Sequence, residues 1–185
     1  MIKKKKFFNE VFLIEPNIHS DNRGCFYENF NKEKYHEIGL KGPWLQDNVS
    51  KTNYGGVRGL HFQNPKPQGK LVSVIFGSIF DVAVDIRKKS PTFGKWISAE
   101  LNDKNCNQLW IPPGFAHGFQ VLSKVAHVHY KCANNYWSPE NEESILFNDK
   151  DIGINWPIEV SSISSKDKNA YHLNQIKSLP IYKNE

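Results

Sequence analysis

The stretch Gly55–Gly77, GGVRGLHFQNPKPQGKLVSVIFG, decides the fold expected of this chain. Two runs of strand-forming residues, Val57–Gln63 and Leu71–Phe76, flank a polar segment whose prolines and glycine cannot continue a sheet ladder. The pattern therefore predicts two paired strands joined by a polar connection.

Three side chains in this stretch, Arg58, His61 and Lys70, carry chemistry that a sheet does not require. Successive residues of a strand point to opposite faces, so Lys70 shares a face with Val72 and Val74. A lysine there either extends to solvent or meets an anion, because burying an unpaired charge is costly. Taken alone, the stretch favours the plainer interpretation, an edge lysine and a hydrogen-bonded histidine.

The composition of the 185 residues is that of one folded, water-soluble domain. The chain is 39% hydrophobic and 23% charged, and its apolar runs are short and interrupted by Gly or Asp. The N-terminal MIKKKKFFNE lacks the apolar core of a signal peptide, so we expect a cytoplasmic protein that does not bind membranes. Three widely spaced cysteines, Cys25, Cys106 and Cys132, are expected to be free thiols.

The net charge of +5 does not indicate a nucleic-acid partner. Four of the 24 basic residues lie in the run Lys3–Lys6, a pattern typical of a solvated tail, and the others alternate with acids. A modest positive balance still attracts a small phosphorylated substrate.

The remaining chain predicts an all-β domain with short peripheral helices. A first strand is expected at Val11–Glu15, and a helix at Asn31–Ile38, with Asn31 as its N-cap and Gly39 after its end. From Trp44 onward, strand-like runs recur at the spacing of a β-sandwich or barrel. A short helix is expected near Leu173–Lys177.

The run Val125–Cys132 alternates most clearly. Ala126, Val128 and Tyr130 share one face, which predicts that Tyr130 points inward. The histidines at 127 and 129 then face solvent or a subunit contact. An inward tyrosine is most often a core residue whose hydroxyl is hydrogen-bonded.

A second histidine, His117, lies in the segment IPPGFAHGF. A Pro-x-Gly-x-x-His turn after a Gly-x-His strand is typical of a small double-stranded β-helix of the cupin type. Cupins that hold a metal use a His-x-His pair, whereas this chain has His61-Phe62-Gln63 and no nearby Glu. We therefore expect no metal, because too few good ligands are present.

Four cations lie beside turns rich in glycine, proline or serine: Arg23, Arg58, Lys70 and Lys166. Scattered basic residues are usually surface residues. If these four meet at the mouth of the barrel, they form a pyrophosphate site.

Long ordered motifs resemble one family, the dTDP-4-dehydrorhamnose 3,5-epimerases. The similar segments run from FLIEP at 12–16 to SSKD at 164–167, and they include DNRGCFYENF, QDNVSKTNYGGVRGLHFQ, QLWIPPGFAHGF and DIGINWP. The resemblance implies a cupin-type jelly-roll barrel without metal or cofactor, acting on dTDP-4-keto-6-deoxyglucose. It also implies a homodimer in which an N-terminal strand crosses to the neighbour.

The resemblance further implies roles for individual residues. His61 resembles the family's base, oriented by Asp167, while Tyr130 resembles the opposing acid and Lys70 the cation that meets the enolate oxygen. The residues implied in substrate binding are Arg23, Glu28, Gln46, Asn48, Arg58, His117, Glu142, Lys166 and one of Tyr136 and Trp137.

Three departures from the family pattern yield further expectations. Ser73 replaces a common arginine near Lys70 and is expected to influence the choice of sugar. The run KCANNYWSP is one residue longer than usual, so either Tyr136 or Trp137 stacks on thymine. Arg58 and His61 can face the same site only if the strand bulges near Gly59.

Three alternatives stay open at this point. The chain could epimerise only C3 or C5 of another nucleotide-activated 4-keto-deoxysugar. A metal-dependent cupin dioxygenase would need bound iron. A non-catalytic sugar-binding cupin would not require both a base and an acid.

Overall fold

A computed structural model of the chain describes residues 3–8 and 10–183, and β-strands dominate these residues. The strands are β1 (Lys3–Phe7), β2 (Val11–Glu15), β3 (Ile18–Asp21), β4 (Gly24–Tyr27), β5 (Trp44–Asn53), β6 (Val57–Gln63), β7 (Gly69–Phe76), β8 (Ser78–Asp85), β9 (Trp96–Asn102), β10 (Gln108–Ile111), β11 (Phe115–Val121), β12 (Val125–Ala133) and β13 (Glu142–Ser144). Two short α-helices, α1 (Lys32–Glu37) and α2 (Ser165–Lys168), and a 3-10 helix at Leu173–Gln175 complete the fold. The predicted all-β class is confirmed.

Two large sheets form the body of the protein. One has the strand order β1-β2-β10-β7-β12-β5, and the other has the order β13-β6-β11-β8-β9. From β5 to β8, and again from β10 to β13, the chain alternates between the sheets, which is the winding predicted for a cupin-type fold. The sheets stay open and do not close into one hydrogen-bonded barrel, so the expected barrel takes the form of two facing sheets.

The predicted pairing of β6 with β7 is wrong. β6 pairs with β11 and β13, whereas β7 pairs with β10 and β12 in the facing sheet. The connection between them contains Pro65 and Pro67, which have no N–H for a hairpin turn, and it carries the chain across to the other sheet. His61 and Lys70 consequently approach each other from opposite walls of the fold.

The main core lies between the two sheets. Val72 and Val128 contribute from the six-stranded sheet, while Ile79 and Phe115 contribute from the five-stranded sheet. The predicted alternation along β12 is confirmed, because Ala126 and Val128 are fully buried and the histidines at 127 and 129 are partly exposed.

The N-terminal lysine run is not a free tail. Lys3–Phe7 pairs with β2 over its whole length, from Lys3 opposite Glu15 to Phe7 opposite Val11. The lysine side chains are exposed, but Phe7 packs against the core and the Lys4 ammonium lies 4.6 Å from the centre of the Phe12 ring. The apolar contacts of Phe7 therefore hold a strongly charged segment in the sheet.

Helix α1 begins as predicted. The Asn31 side chain accepts hydrogen bonds from the N–H groups of Glu33 and Lys34. Its buried Tyr35 packs in a smaller core over the outer face of the six-stranded sheet. The three cysteines are free thiols, two of them buried. Among the described residues, no helix is long and apolar enough to cross a membrane.

Candidate active site

A pocket of about 320 Å³, here called the central pocket, opens between the two sheets. Its lining combines polar side chains from both walls with a few apolar ones. The predicted site residues among them are Gln46, Asn48, Arg58, His61, Lys70, His117, Tyr130, Trp137 and Glu142. The fold thus brings together residues that are up to 96 positions apart in the chain, from 46 to 142.

His61 and Asp167 form a close pair at the edge of the central pocket. His61 Nε2 lies 2.7 Å from Asp167 Oδ1, and the Gly59 N–H donates to Asp167 Oδ2 at 3.3 Å. Asp167 is placed by the first turn of α2, whose N-cap Ser164 accepts a hydrogen bond from the Asp167 N–H. Burial raises the pKa of Asp167, but the bonds from His61, Gly59 and Ser164 outweigh it and leave that pKa below its usual value.

A second histidine–aspartate pair, which the sequence reasoning missed, lies deeper. His117 Nε2 is 2.7 Å from Asp81 Oδ1, and both side chains are buried. Burial raises the pKa of Asp81, while His117 and Lys70 oppose the rise only in part. The sequence does contain a signal for Asp81, because Asp81 shares an apolar strand face with Ile79 and Ala83. Lys70 was singled out by the same pattern.

Lys70 and Tyr130 face the central pocket from the six-stranded sheet. Burial lowers the pKa of Lys70, and electrostatic interactions with Cys132, Glu142 and Asp81 oppose that change. Burial also raises the pKa of Tyr130, with Cys132 adding to the effect. The phenol therefore stays protonated at neutral pH and can donate a proton.

Arg58 reaches the same pocket as His61 because β6 is irregular, as predicted. His61 pairs with His117, but Arg58 pairs with Phe119. Between these two pairs β6 contains one residue more than β11, which is a β-bulge. The Arg58 guanidinium donates to Thr52 Oγ1 at 2.7 Å. The extra residue rotates the strand and brings both side chains to one site.

Glu142 and Lys166 form an ion pair beside His61. Burial raises the pKa of Glu142, but hydrogen bonds from Lys166 and Trp137 outweigh it and keep the carboxyl ionised. Lys166 and Asp167 line a side groove of about 330 Å³, which shares Arg58, His61 and Glu142 with the central pocket. His61 is therefore accessible from two openings.

Of the two aromatic candidates for stacking, Trp137 lines the central pocket and Tyr136 does not. The loop that carries them is held by the side chains of two glutamines, Gln63 and Gln46. Gln63 donates to the Tyr136 carbonyl at 3.2 Å and accepts from the Ser138 N–H at 2.7 Å. The Trp137 N–H donates to Gln46 Oε1 at 3.0 Å. Gln63 is a positioning residue that the sequence analysis did not identify.

Arg23 and Glu28 lie away from the central pocket of their own chain. Arg23 is on the exposed β3–β4 hairpin, where its guanidinium pairs with Asp21 at 2.6 Å. Glu28 pairs with Lys34 of α1 at 3.0 Å. The four cations predicted to meet are thus only partly brought together, because Arg23 stays apart.

Ser73 lies on the sheet face opposite to Lys70, three residues along β7. Its hydroxyl donates to the His129 carbonyl at 3.3 Å and lies 3.2 Å from His129 Nδ1, on the outer side of the sheet. The expectation that Ser73 influences the sugar site through its proximity to Lys70 is not supported by this placement. Strand alternation separates the two side chains although they are close in sequence.

Comparisons with known proteins agree with this geometry. The family model for dTDP-4-dehydrorhamnose 3,5-epimerase matches residues 5–175. A protein of that name from Salmonella typhimurium is 49% identical over 178 residues, which cover 95% of this chain and 97% of that protein.

Solved structures extend the likeness to the fold. The dTDP-6-deoxy-D-glucose-3,5-epimerase from Legionella pneumophila, in complex with dTDP-4-keto-L-rhamnose, is 46% identical with a TM-score of 0.94, covering 100% of this chain and 99% of that one. ChmJ, a 3'-monoepimerase from Streptomyces bikiniensis in complex with dTDP-quinovose, is 33% identical with a TM-score of 0.86, covering 93% and 89%. By matched motifs, identity and fold, this chain belongs to the dTDP-4-dehydrorhamnose 3,5-epimerase family.

Proposed function

We propose that this protein inverts C3 and C5 of dTDP-4-keto-6-deoxyglucose to give dTDP-4-keto-L-rhamnose, a step of dTDP-L-rhamnose biosynthesis in the cytoplasm. One observation carries the proposal. The histidine of a histidine–aspartate pair, His61, and a protonated phenol, Tyr130, face one pocket from opposite sheets. Inversion of a carbon needs a base on one side of it and a proton donor on the other.

The substrate's C4 ketone makes the proposed chemistry accessible to side chains alone. Loss of a proton from C3 or C5 places negative charge on the ketone oxygen, which forms an enolate. A cation held close to that oxygen lowers the barrier because the charge develops in a preorganised site. Lys70 occupies the wall from which such a cation would act.

In this proposal His61 is the base. Its Nε2 is 2.7 Å from the ionised Asp167, so Nδ1 is left to accept the substrate proton. The carboxylate then stabilises the imidazolium that forms. The side chain of His61 is 29% exposed and borders the side groove, so it can return its proton to water after each turnover.

Tyr130 is the proposed acid that delivers a proton to the opposite side of the sugar ring. Its raised pKa keeps the phenol protonated until the enolate forms. The nucleotide sugar is proposed to contact Gln46, Asn48, Arg58, His117, Glu142 and Lys166, with Trp137 stacking on thymine because it lines the central pocket.

A homodimer is part of the proposal. Arg23 and Glu28 are implied in substrate binding but lie outside their own chain's central pocket, so a second copy is the source that would bring them to a site. The β3–β4 hairpin supports this, since its Phe26 is 72% exposed. β1 lies at the edge of its sheet and is the strand that would cross to the neighbour.

The proposal is tested by incubating the protein with dTDP-4-keto-6-deoxyglucose in heavy water and following C3 and C5 by NMR. We expect deuterium at both carbons and formation of the L-rhamno product. Deuterium at neither carbon would contradict an epimerase activity on this sugar.

The same experiment separates the nearest alternative. The structural similarity to a 3'-monoepimerase means that the fold is compatible with inversion at a single carbon. Deuterium at only C3 or only C5 would assign this chain to that activity. Thermal-shift measurements with dTDP-, GDP- and CDP-sugars then identify the preferred nucleotide, because a ligand of the folded state raises Tm.

A further inference from the structure

Below the central pocket, the structure holds a carboxylate that the fold alone does not require. Asp81 is 0% exposed, and its Oδ1 lies 2.7 Å from His117 Nε2. Its Oδ2 is buried and has no hydrogen-bond partner among the described residues. A buried carboxylate oxygen without a partner destabilises the folded state, and asparagine would fill nearly the same space without a charge.

Asp81 faces Lys70 across the inside of the fold. It lies between the core residues Ile79 and Ala83 on the inward face of β8, while Lys70 shares the inward face of β7 with the core residue Val72. Burial lowers the pKa of Lys70, and the Asp81 charge acts in the opposite direction. The two groups therefore stabilise each other's charged forms.

We propose that Asp81 is a positioning residue of the reaction, which holds His117 in one orientation at the pocket wall and supplies the negative charge opposite Lys70. This inference rests on the proposed function, because it assigns Lys70 to the enolate oxygen. Asp81 does not line the central pocket, so it acts through these two residues, which do.

Other groups around Lys70 do not replace Asp81. The titratable or charged ones that line the same pocket are Arg58 and His61 from β6, His117 from β11, Tyr130 and Cys132 from β12, and Glu142 from β13. Of the possible anions, Glu142 is ion-paired with Lys166. Burial raises the pKa of the Cys132 thiol, so it is neutral at pH 7. The Glu142 charge is thus already paired, and Asp81 is the fully buried anion that faces Lys70.

The variant Asp81→Asn tests this inference through the pH dependence of deuterium exchange. We expect kcat to fall about 10- to 100-fold, by analogy with the loss of the outer partner of a metal-bound histidine. The alkaline limb of the profile should move to lower pH, because Lys70 loses its proton earlier once the Asp81 charge is removed. Coincident profiles of a folded D81N and the wild type would overturn the inference.

Two controls separate this result from a general effect of the substitution. Asp149→Asn removes another buried carboxylate that lies outside the central pocket, and it should leave the alkaline limb in place. If D81N does not fold, the double variant D81N/H117Q is compared with the single variant H117Q. In the double variant the buried hydrogen bond can form between the side-chain amides at positions 81 and 117. The double variant should show the earlier alkaline limb, and equal limbs would overturn the inference.

A readout without substrate keeps this inference distinct from the proposed function. The ¹⁵N chemical shift of the Lys70 amine is titrated by NMR in the wild type and in D81N. We expect the D81N amine to titrate at lower pH. Equal titration curves would overturn the role of Asp81 even where the wild type epimerises the sugar, whereas absence of exchange in the wild type contradicts only the proposed function.

Discussion

The pairs His61–Asp167 and His117–Asp81 share the same contact, a distance of 2.7 Å between Nε2 and Oδ1. The pKa values of their two carboxyl groups are nevertheless shifted in opposite directions. The pKa of Asp167 is lowered and that of Asp81 is raised. Burial raises the pKa of both carboxyl groups, and Asp81 lies deeper in the fold, since its partner His117 is 8% exposed whereas His61 is 29% exposed.

The second oxygen of each carboxylate adds to this difference in pKa. Asp167 Oδ2 accepts the Gly59 N–H, whereas Asp81 Oδ2 has no hydrogen-bond partner in the described part of the chain. Hydrogen bonds to the charged form outweigh burial in the first pair, and burial prevails in the second. The same local contact is therefore proposed to serve two purposes, a partly exposed base in His61 and a buried support in Asp81.

The largest effect is expected for His61, the histidine proposed to take the substrate proton. His61→Asn should lower the rate of deuterium exchange by about 10²- to 10⁴-fold, because the general base is lost. The assay is NMR-detected exchange in heavy water. His172, whose Nδ1 lies 3.3 Å from Asp149 Oδ1 outside the central pocket, supplies the matched control, and His172→Asn should exchange at the wild-type rate. An active His61→Asn would remove His61 from the mechanism.

The second effect concerns Tyr130, which faces the central pocket from the sheet opposite to His61. Tyr130→Phe should keep exchange at one carbon, because His61 and Asp167 are untouched, but should slow full inversion by about 10²-fold or more. Exchange is followed by NMR and inversion by the coupling constants of the product. Undiminished inversion would show that another group delivers the proton.

The third effect concerns the loop that carries Tyr136 and Trp137. Trp137→Ala should raise the Kd for dTDP about tenfold, since stacking on a base contributes about 1–3 kcal/mol. Tyr136→Ala is the matched control and should bind normally, because Tyr136 does not line the central pocket. Isothermal calorimetry measures both, and the reverse ranking would move the stacking role to Tyr136.

A smaller effect is expected for the stability given by Asp167. Its pKa in the folded state lies below the ordinary value of 3.8, so its contribution is present above that pH and is lost as pH falls through the folded pKa. Asp167→Asn should therefore lower Tm at pH 7 by about 2–4 °C, equivalent to about 1 kcal/mol, with little difference below about pH 3. Calorimetric scans across this range test it, and a pH-independent difference would contradict it.

For Asp81 we expect a change in Tm of the opposite sign, and it is the smallest of these effects. Its folded pKa lies above 3.8, so the wild type loses stability as pH rises from 3.8 through the folded pKa. Asp81→Asn should thus have a Tm equal to or up to about 2 °C above the wild type at pH 7. A Tm clearly below the wild type would mean that the charged pair stabilises the fold, and the contrast between the two pairs would fail.

Residues on well-patterned strands were predictable from the sequence. The alternation of β12 identified Tyr130 as inward, and an amine beside valines singled out Lys70. The same argument applied to β8 would have identified Asp81. Gln63 had no such signal, because its hydrogen bonds go to a loop more than 70 residues away.

Other parts of the site depend on contacts that no local pattern records. The choice between Tyr136 and Trp137 required the course of their loop. The separation of Ser73 from Lys70, by contrast, could be predicted from the sequence, because it follows from alternation along β7.

By itself, the sequence determined the all-β class, the inward faces of the strands and the identities of the chemical groups, because a period of two residues and turn chemistry are local properties. Only the tertiary structure decided that β6 and β7 lie in facing sheets and that Asp81 supports His117. Pairing between distant strands depends on where each can bury its apolar face. For that reason the stretch Gly55–Gly77 forms two opposite walls of one pocket and not a hairpin.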